Sequence, residues 1–149
     1  MKNIVLDKNE IGISRTIHDI DKIIFRSINE KLSSLKISHV QALILIYLLE
    51  NESEEVFQKT LEIEFGLSNP TVTASLNSME SKGLLVKKKS EQDGRFYSLF
   101  LTEEGRAIAP KCSSIYEENE KELNSILTKS QITALEEVSK IIRNKFSGK

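Results

Sequence analysis

A single cysteine, Cys112, stands among 149 residues, so no intramolecular disulfide can form, which fits a reducing compartment. No apolar run approaches the roughly 20 residues needed to cross a bilayer. The opening MKNIVLDKNE lacks the apolar core of a signal peptide. The chain is therefore expected to be soluble and cytoplasmic. It carries no glycine-rich phosphate loop, no internal repeat and no low-complexity segment. Only two histidines are present, His18 and His39, and neither has the spacing of a metal site such as HxxxH. With Cys112 they are scattered over three predicted helices. The acidic run Glu117, Glu118, Glu120 and Glu122 reads as a solvated helix face. No catalytic residue, metal ligand or cofactor is expected, and the chain does not read as an enzyme. Cys112 reads as a small buried apolar residue.

An excess of one charge is also missing. The net charge is −1, which argues against a non-specific polyanion binder. The distribution is uneven, however. Residues 66–101 hold five cations against three carboxylates, and residues 50–65 hold one against six. A local basic patch with modest affinity for DNA would look like this.

What is present is concentrated between Ser68 and Gly105. The spacing predicts a short helix followed directly by a two-stranded hairpin. Asn69 is a favoured N-cap and Pro70 suits the first helical position. Val72, Ser75, Leu76 and Met79 fall on one face, suited to a core. Thr71, Ala74, Asn77 and Ser78 fall on the other, where short side chains can press against a groove floor. Gly83 supplies the stop. The strand-like runs Leu84 to Ser90 and Phe96 to Thr102 flank an Asp-Gly turn. Both faces of the second run carry apolar groups, so cover on two sides is expected. Lys87, Lys88, Lys89 and Arg95 make the hairpin cationic. Such a run can guard a solvated edge strand, or beside this helix it can meet phosphates.

The remaining pattern is helical. Ile13, Ile17, Ile20, Ile24, Ile28, Leu32 and Leu35 recur at steps of three and four. Ser38 and Gln41 have capping-box spacing before a helix that is apolar on most sides. A shorter helix from about Phe57 to Phe65 turns Phe57, Leu61 and Phe65 inward and closes at Gly66. Helix, glycine-containing turn, helix is a helix-turn-helix arrangement. Thr102, with Glu103 and Glu104, opens a long helix to about Leu127. Thr128 and Gln131 open a last one through about Phe146, striped by Ile132, Leu135, Val138, Ile141, Ile142 and Phe146. This stripe packs either within the chain or, more naturally, against a second copy.

Three segments carry a family resemblance: Leu67-Ser68-Asn69-Pro70-Thr71-Val72-Thr73, Glu80-Ser81-Lys82-Gly83-Leu84, and Asp93-Gly94-Arg95 with Leu101-Thr102-Glu103-Glu104-Gly105. In this order, from about Ile13 to Phe146, the chain resembles the MarR (multiple-antibiotic-resistance regulator) family of winged helix-turn-helix transcription factors. The resemblance implies a mainly α fold with a small β-hairpin wing, forming a single domain over 1–149. Residues 11–36 and 105–147 would be dimerisation helices, and 38–102 the DNA-binding region. It implies a homodimeric repressor on an inverted-repeat operator of double-stranded DNA, released by a small aromatic effector.

In that reading the helix from about Asn69 to Lys82 enters the major groove. Asn69, Thr71, Thr73, Ala74, Asn77 and Ser78 face the bases, and Asn69 is either a base contact or only a cap. Lys87, Lys88 and Lys89 meet phosphates. Arg95 matches the family's wing-tip arginine, and Asp93 matches the acidic residue that holds it while also serving the turn. Ala74 and Ser78 stand where many members carry basic residues. The alternative reading is a helical protein-interaction module that kept the winged-helix fold and lost strong DNA binding.

Overall fold

The computed structural model describes residues 12–147; the opening MKNIVLDKNE lies outside them. The element order is α1 (Ile13–Leu32), a 3-10 turn (Ser33–Leu35), α2 (His39–Glu50), α3 (Gln58–Phe65), α4 (Asn69–Ser81), β1 (Leu85–Lys89), β2 (Tyr97–Leu101), α5 (Glu103–Ile126) and α6 (Lys129–Phe146). The chain forms two compact units, dividing between Ile115 and Tyr116. No single helix among the described residues is both long and apolar enough to cross a membrane.

In the first unit, α2 is the central element. Its capping box forms as the spacing predicts: Ser38 Oγ accepts the Gln41 N–H at 3.2 Å, and Gln41 Oε1 accepts the Ser38 N–H at 3.4 Å. Ala42, Ile44, Leu45 and Leu48 are buried around it, with Leu61 of α3, Val72, Leu76 and Met79 of α4, and Leu85 and Leu101 of the hairpin. Removing this apolar area from water is the main stabilising term for the unit. On α1 only the C-terminal end of the predicted stripe joins this core. Ile28 and Leu32 are buried, whereas Ile13, Ile17 and Ile20 are exposed.

The end of α4 is a Schellman motif. The Gly83 N–H reaches the Glu80 carbonyl and the Leu84 N–H reaches the Met79 carbonyl, with Gly83 at φ +74. This turn sends the chain straight into β1, which pairs antiparallel with β2 in the register Leu85↔Leu101 to Lys89↔Tyr97. The far edge of β2 is also occupied. Phe57 bridges to Ser98, and the Leu99 N–H donates to the Val56 carbonyl at 2.9 Å. Two residues have no periodicity to read, so this third edge was invisible in the sequence. The expectation that the second strand is covered on both sides holds only in part. Ser98, Leu99 and Leu101 are buried, while Tyr97 and Phe100 stay exposed.

Thr102 caps α5, its Oγ1 accepting the Gly105 N–H at 3.1 Å and donating to the Gly83 carbonyl at 2.6 Å. Glu103 and Glu104 occupy the first turn, where the helix dipole favours them. The α5 helix continues through Pro110, which offers no N–H to the preceding turn. In the second unit, α6 opens with the predicted capping box of Thr128 and Gln131. No residue of α6 is buried.

Candidate nucleic-acid interface

Helix α4 presents Thr71, Ala74 and Asn77 of the short, polar face the sequence predicts, but its cap shifts and Ser78, expected on that face, turns inward. Ser68, not Asn69, is the N-cap, its Oγ accepting the Thr71 N–H at 3.3 Å. Both residue types cap well, and the tertiary contact decides. Asn69 is drawn instead to α3, where its Nδ2 donates to Glu62 Oε2 at 2.9 Å. Pro70 therefore lies one position further into the first turn, where its missing N–H still costs nothing. Thr71, Ala74 and Asn77 are exposed, and Thr73 is half-buried beneath them. Thr73 Oγ1 accepts from Gln58 Nε2 at 2.8 Å, so a side chain of α3 holds it in place. Ser78 turns towards the core side, its hydroxyl accepting from Gln41 Nε2 at 3.2 Å.

The hairpin cations divide by strand alternation, because successive side chains point to opposite faces. Lys87 lies on the side that meets α4, and its Nζ donates to Asn77 Oδ1 at 3.0 Å with Glu80 at 3.9 Å. Lys88 points the other way and sits over the Phe100 ring, 5.5 Å from its centre. Lys89 shares the face of Lys87 and is exposed. Lys87, Lys88 and Lys89 therefore do not share one face, and Lys87 is engaged with α4. Lys82 is engaged as well, its Nζ donating to the Lys36 carbonyl and to Gln41 Oε1.

At the hairpin tip Asp93 and Arg95 form the pair that their positions predict. Asp93 Oδ1 accepts the Arg95 backbone N–H at 3.1 Å and Nε–H at 3.0 Å, and Oδ2 accepts from Nη2 at 2.7 Å. The guanidinium also lies 5.7 Å from the Phe96 ring. It nonetheless keeps 82% of its side-chain surface exposed. The clasp holds the Asp93 carboxyl below the usual carboxylate range and raises Arg95 further, so both stay charged at neutral pH. A bidentate pair at an exposed tip fixes direction without hiding the charge.

A helix-turn-helix with an exposed short-side-chain face thus stands beside a wing ending in a clasped arginine. The sequence profile described as transcriptional regulator SarA/Rot matches residues 26–111, which span this whole arrangement. The chain belongs to the SarA/Rot family of transcriptional regulators. It is 36% identical over 84 residues to the organic hydroperoxide resistance transcriptional regulator of Bacillus subtilis, covering 56% of each chain. The chain spans about half the length of the curated relatives it matches. Its fold is similar to that of the transcription regulator MarR from Oenococcus oeni PSU-1, with 26% identity, a TM-score of 0.75, and 89% of this chain and 99% of that one covered. It is also similar to MepR in the S. aureus MepR–DNA complex, with 23% identity, a TM-score of 0.82, and 92% and 99% covered.

Within this SarA/Rot chain, Cys112 is buried on α5, and burial pushes its thiol up. That environment suppresses the thiolate, so it suits packing and not reaction. Three residues near the interface escaped the sequence reading. Gln58 and Glu62 of α3 hold Thr73 and Asn69. Their i, i+4 spacing was legible, and Gln58 Nε2 does reach Glu62 Oε2 at 3.2 Å. Their contacts with α4 were not. The third is Glu55, in the turn between α2 and α3. Its carboxyl accepts from Ser98 and Ser90, which, with the Glu91 backbone, hold it below the usual carboxylate range.

Proposed function

We propose that this chain is a cytoplasmic, homodimeric, sequence-specific DNA-binding regulator that represses transcription from an inverted-repeat operator. The observation that carries the reading is the exposed face of α4 beside an arginine clasped at the wing tip. Helix α4 enters the major groove, with Thr71, Ala74 and Asn77 towards base edges and the Thr and Ala methyls suited to thymine methyls. Arg95 enters the adjacent minor groove, where a narrow, electronegative channel favours a guanidinium. Lys89 and, once released from Asn77 and Glu80, Lys87 meet phosphates. No catalytic role is assigned to any residue.

Exposed Ile13, Ile17 and Ile20 on α1, and exposed Leu135, Val138, Ile141 and Phe146 on α6, support a second copy as the cover for these stripes. An open groove of about 730 Å³ beside α1 supports a small aromatic acid as effector. Its lining includes Lys22 and Arg26, the carboxylates Asp21 and Glu30, and Phe25 and His39, whose rings are 4.9 Å apart. An aromatic ring would lie against Phe25 and a carboxylate near Lys22 or Arg26. A panel of aromatic acids that leaves DNA affinity unchanged would remove this assignment.

The reading is tested by selecting bound duplexes from a random pool and titrating the winning site at several salt concentrations. The expected site is an inverted repeat with half-sites about one helical turn apart. Glu62 and Glu80 beside the exposed face of α4 favour the second reading, an interaction module, which gives only sequence-blind or absent association.

Two substitutions separate the contacts. Arg95→Ala should weaken binding to the selected site by ~1–3 kcal/mol, as for a well-oriented groove contact. Lys89→Ala should weaken binding to all sequences alike and reduce the salt slope by about one. Filter binding over a salt series reads both.

A further inference from the structure

We propose that Glu55 is a positioning residue for Arg95, acting through a chain of hydrogen bonds that runs from the body of the winged helix to the wing tip. The proposal rests on the DNA-binding reading for its functional consequence and on hydrogen-bond geometry for its existence.

Glu55 lies outside the hairpin, in the turn that leads to the Val56–Phe57 edge. Its carboxylate receives Ser98 Oγ at 2.7 Å on Oε1 and Ser90 Oγ at 3.0 Å on Oε2. The first contact joins Glu55 to the middle of β2. The second reaches Ser90, the residue after the end of β1. Ser90 Oγ in turn accepts the backbone N–H groups of Gln92 at 3.1 Å and Asp93 at 3.2 Å. Asp93, held by its backbone, turns its carboxylate onto Arg95.

The donor count makes the direction of this chain definite. A hydroxyl has one hydrogen and two lone pairs. Both lone pairs of Ser90 are used by the tip amides, so its hydrogen must go outward to an acceptor. A carboxylate, which only accepts, fits that requirement and takes the Ser98 hydrogen as well. Without Glu55, Ser90 loses the acceptor that fixes its hydrogen and is free to rotate away from the tip amides. The two-stranded ribbon by itself is a weak support, because an isolated hairpin is marginal in water. An arginine on such a support would have to be ordered on docking, and presetting its direction removes part of that cost.

The test uses the full chain and the duplex recovered by selection. Glu55→Ala and Ser90→Ala should each weaken binding about tenfold, in line with stranding hydrogen-bond donors that the native fold satisfies. Ser90→Ala cuts only the link to the tip and leaves the Glu55–Ser98 contact, so it serves if Glu55→Ala fails to fold. Glu55→Gln should retain most of the affinity. Its amide oxygen can accept from Ser90 while its NH₂ donates to Ser98 Oγ.

In an Arg95→Ala background, Glu55→Ala and Ser90→Ala should add nothing, because the residue they position is gone. Full additivity in that background would mean that Glu55 merely braces the strand, and would overturn the proposal. Should the parent protein bind no duplex specifically, the regulator reading fails, and the proposal is judged in the free protein. There the Arg95 Nε–H resonance must move in Ser90→Ala; an unmoved resonance overturns it too.

Discussion

The parent protein is expected to sediment as a dimer and the double variant Leu135→Asp, Ile141→Asp as a monomer that loses at least a hundredfold in affinity for an inverted-repeat operator. Leu135 is 61% exposed and Ile141 68% exposed, and they lie on the same apolar stripe of a helix in which no residue is buried. Large apolar groups at regular helical spacing are not retained on a free surface without consequence; together they form the kind of patch that marks an interface. Two carboxylates placed there would have to be desolvated to form it, at a cost that apolar packing cannot offset. The effect on DNA follows from geometry. Once one reader is docked, the second binds its half-site at a high effective concentration, which raises overall affinity by about 10²–10⁴ without any new contact. A monomer loses that factor while each winged helix stays intact. Sedimentation velocity and operator titration on the same samples check both halves. A variant that remains dimeric would show that the α6 stripe is not the interface. A monomer that keeps full affinity would show that the two half-sites are not read together.

Gly105→Ala is expected to lower the thermal midpoint by roughly 6–12 °C, from a cost near the upper end of the ~1–3 kcal/mol typical of overpacking. A Cβ at Gly105 would stand 2.1 Å from the Leu84 carbonyl oxygen, 3.2 Å from its carbon and 3.1 Å from Leu101 Cδ2. The first two are backbone atoms, and they cannot swing aside as a side chain would. The Leu84 carbonyl also accepts the Thr102 N–H at 3.1 Å, so moving it breaks a rung at the base of the hairpin. Glycine is required here for close approach, not for its backbone angles. The first turn of α5 presses directly on the junction of α4 and β1, and this junction sets the wing beside α4. A thermal melt followed by circular dichroism checks the prediction; an unchanged midpoint would mean that α5 can back away at little cost.

The elements of this SarA/Rot chain were legible wherever the determinant is local. Capping boxes at Ser38 and Thr128 need only residues three apart, and both form. Gly83 ends α4 because glycine adopts φ +74 without strain. The Asp93–Arg95 clasp closes over two residues, so its partners were readable in order. The N-cap of α4 shows the limit of local signals. Ser68 and Asn69 are both good caps, one residue apart, and nothing within the segment chooses between them. Glu62, on another helix, claims Asn69, and the cap passes to Ser68.

The same reasoning separates composition from availability. Counting cations on the hairpin gave Lys87, Lys88, Lys89 and Arg95 equal standing. Folding gives them different neighbours: Asn77 and Glu80 engage Lys87, Phe100 lies under Lys88, and Arg95 is held outward by Asp93. Glu55 was one carboxylate in an acidic stretch until the fold brought Ser90 and Ser98 to it, 35 and 43 residues away in the chain.

The sequence by itself determined the order of helices and hairpin, their caps and stops, and which stripe of each is apolar. Those features depend on backbone preference and periodicity within a few residues. Only the tertiary structure decided which polar side chains are already occupied, which strand edge Val56 and Phe57 complete, and which stripes lie uncovered. Each of these depends on partners far apart in the chain, and a hydrogen bond or a buried face is specified by where both partners stand in space.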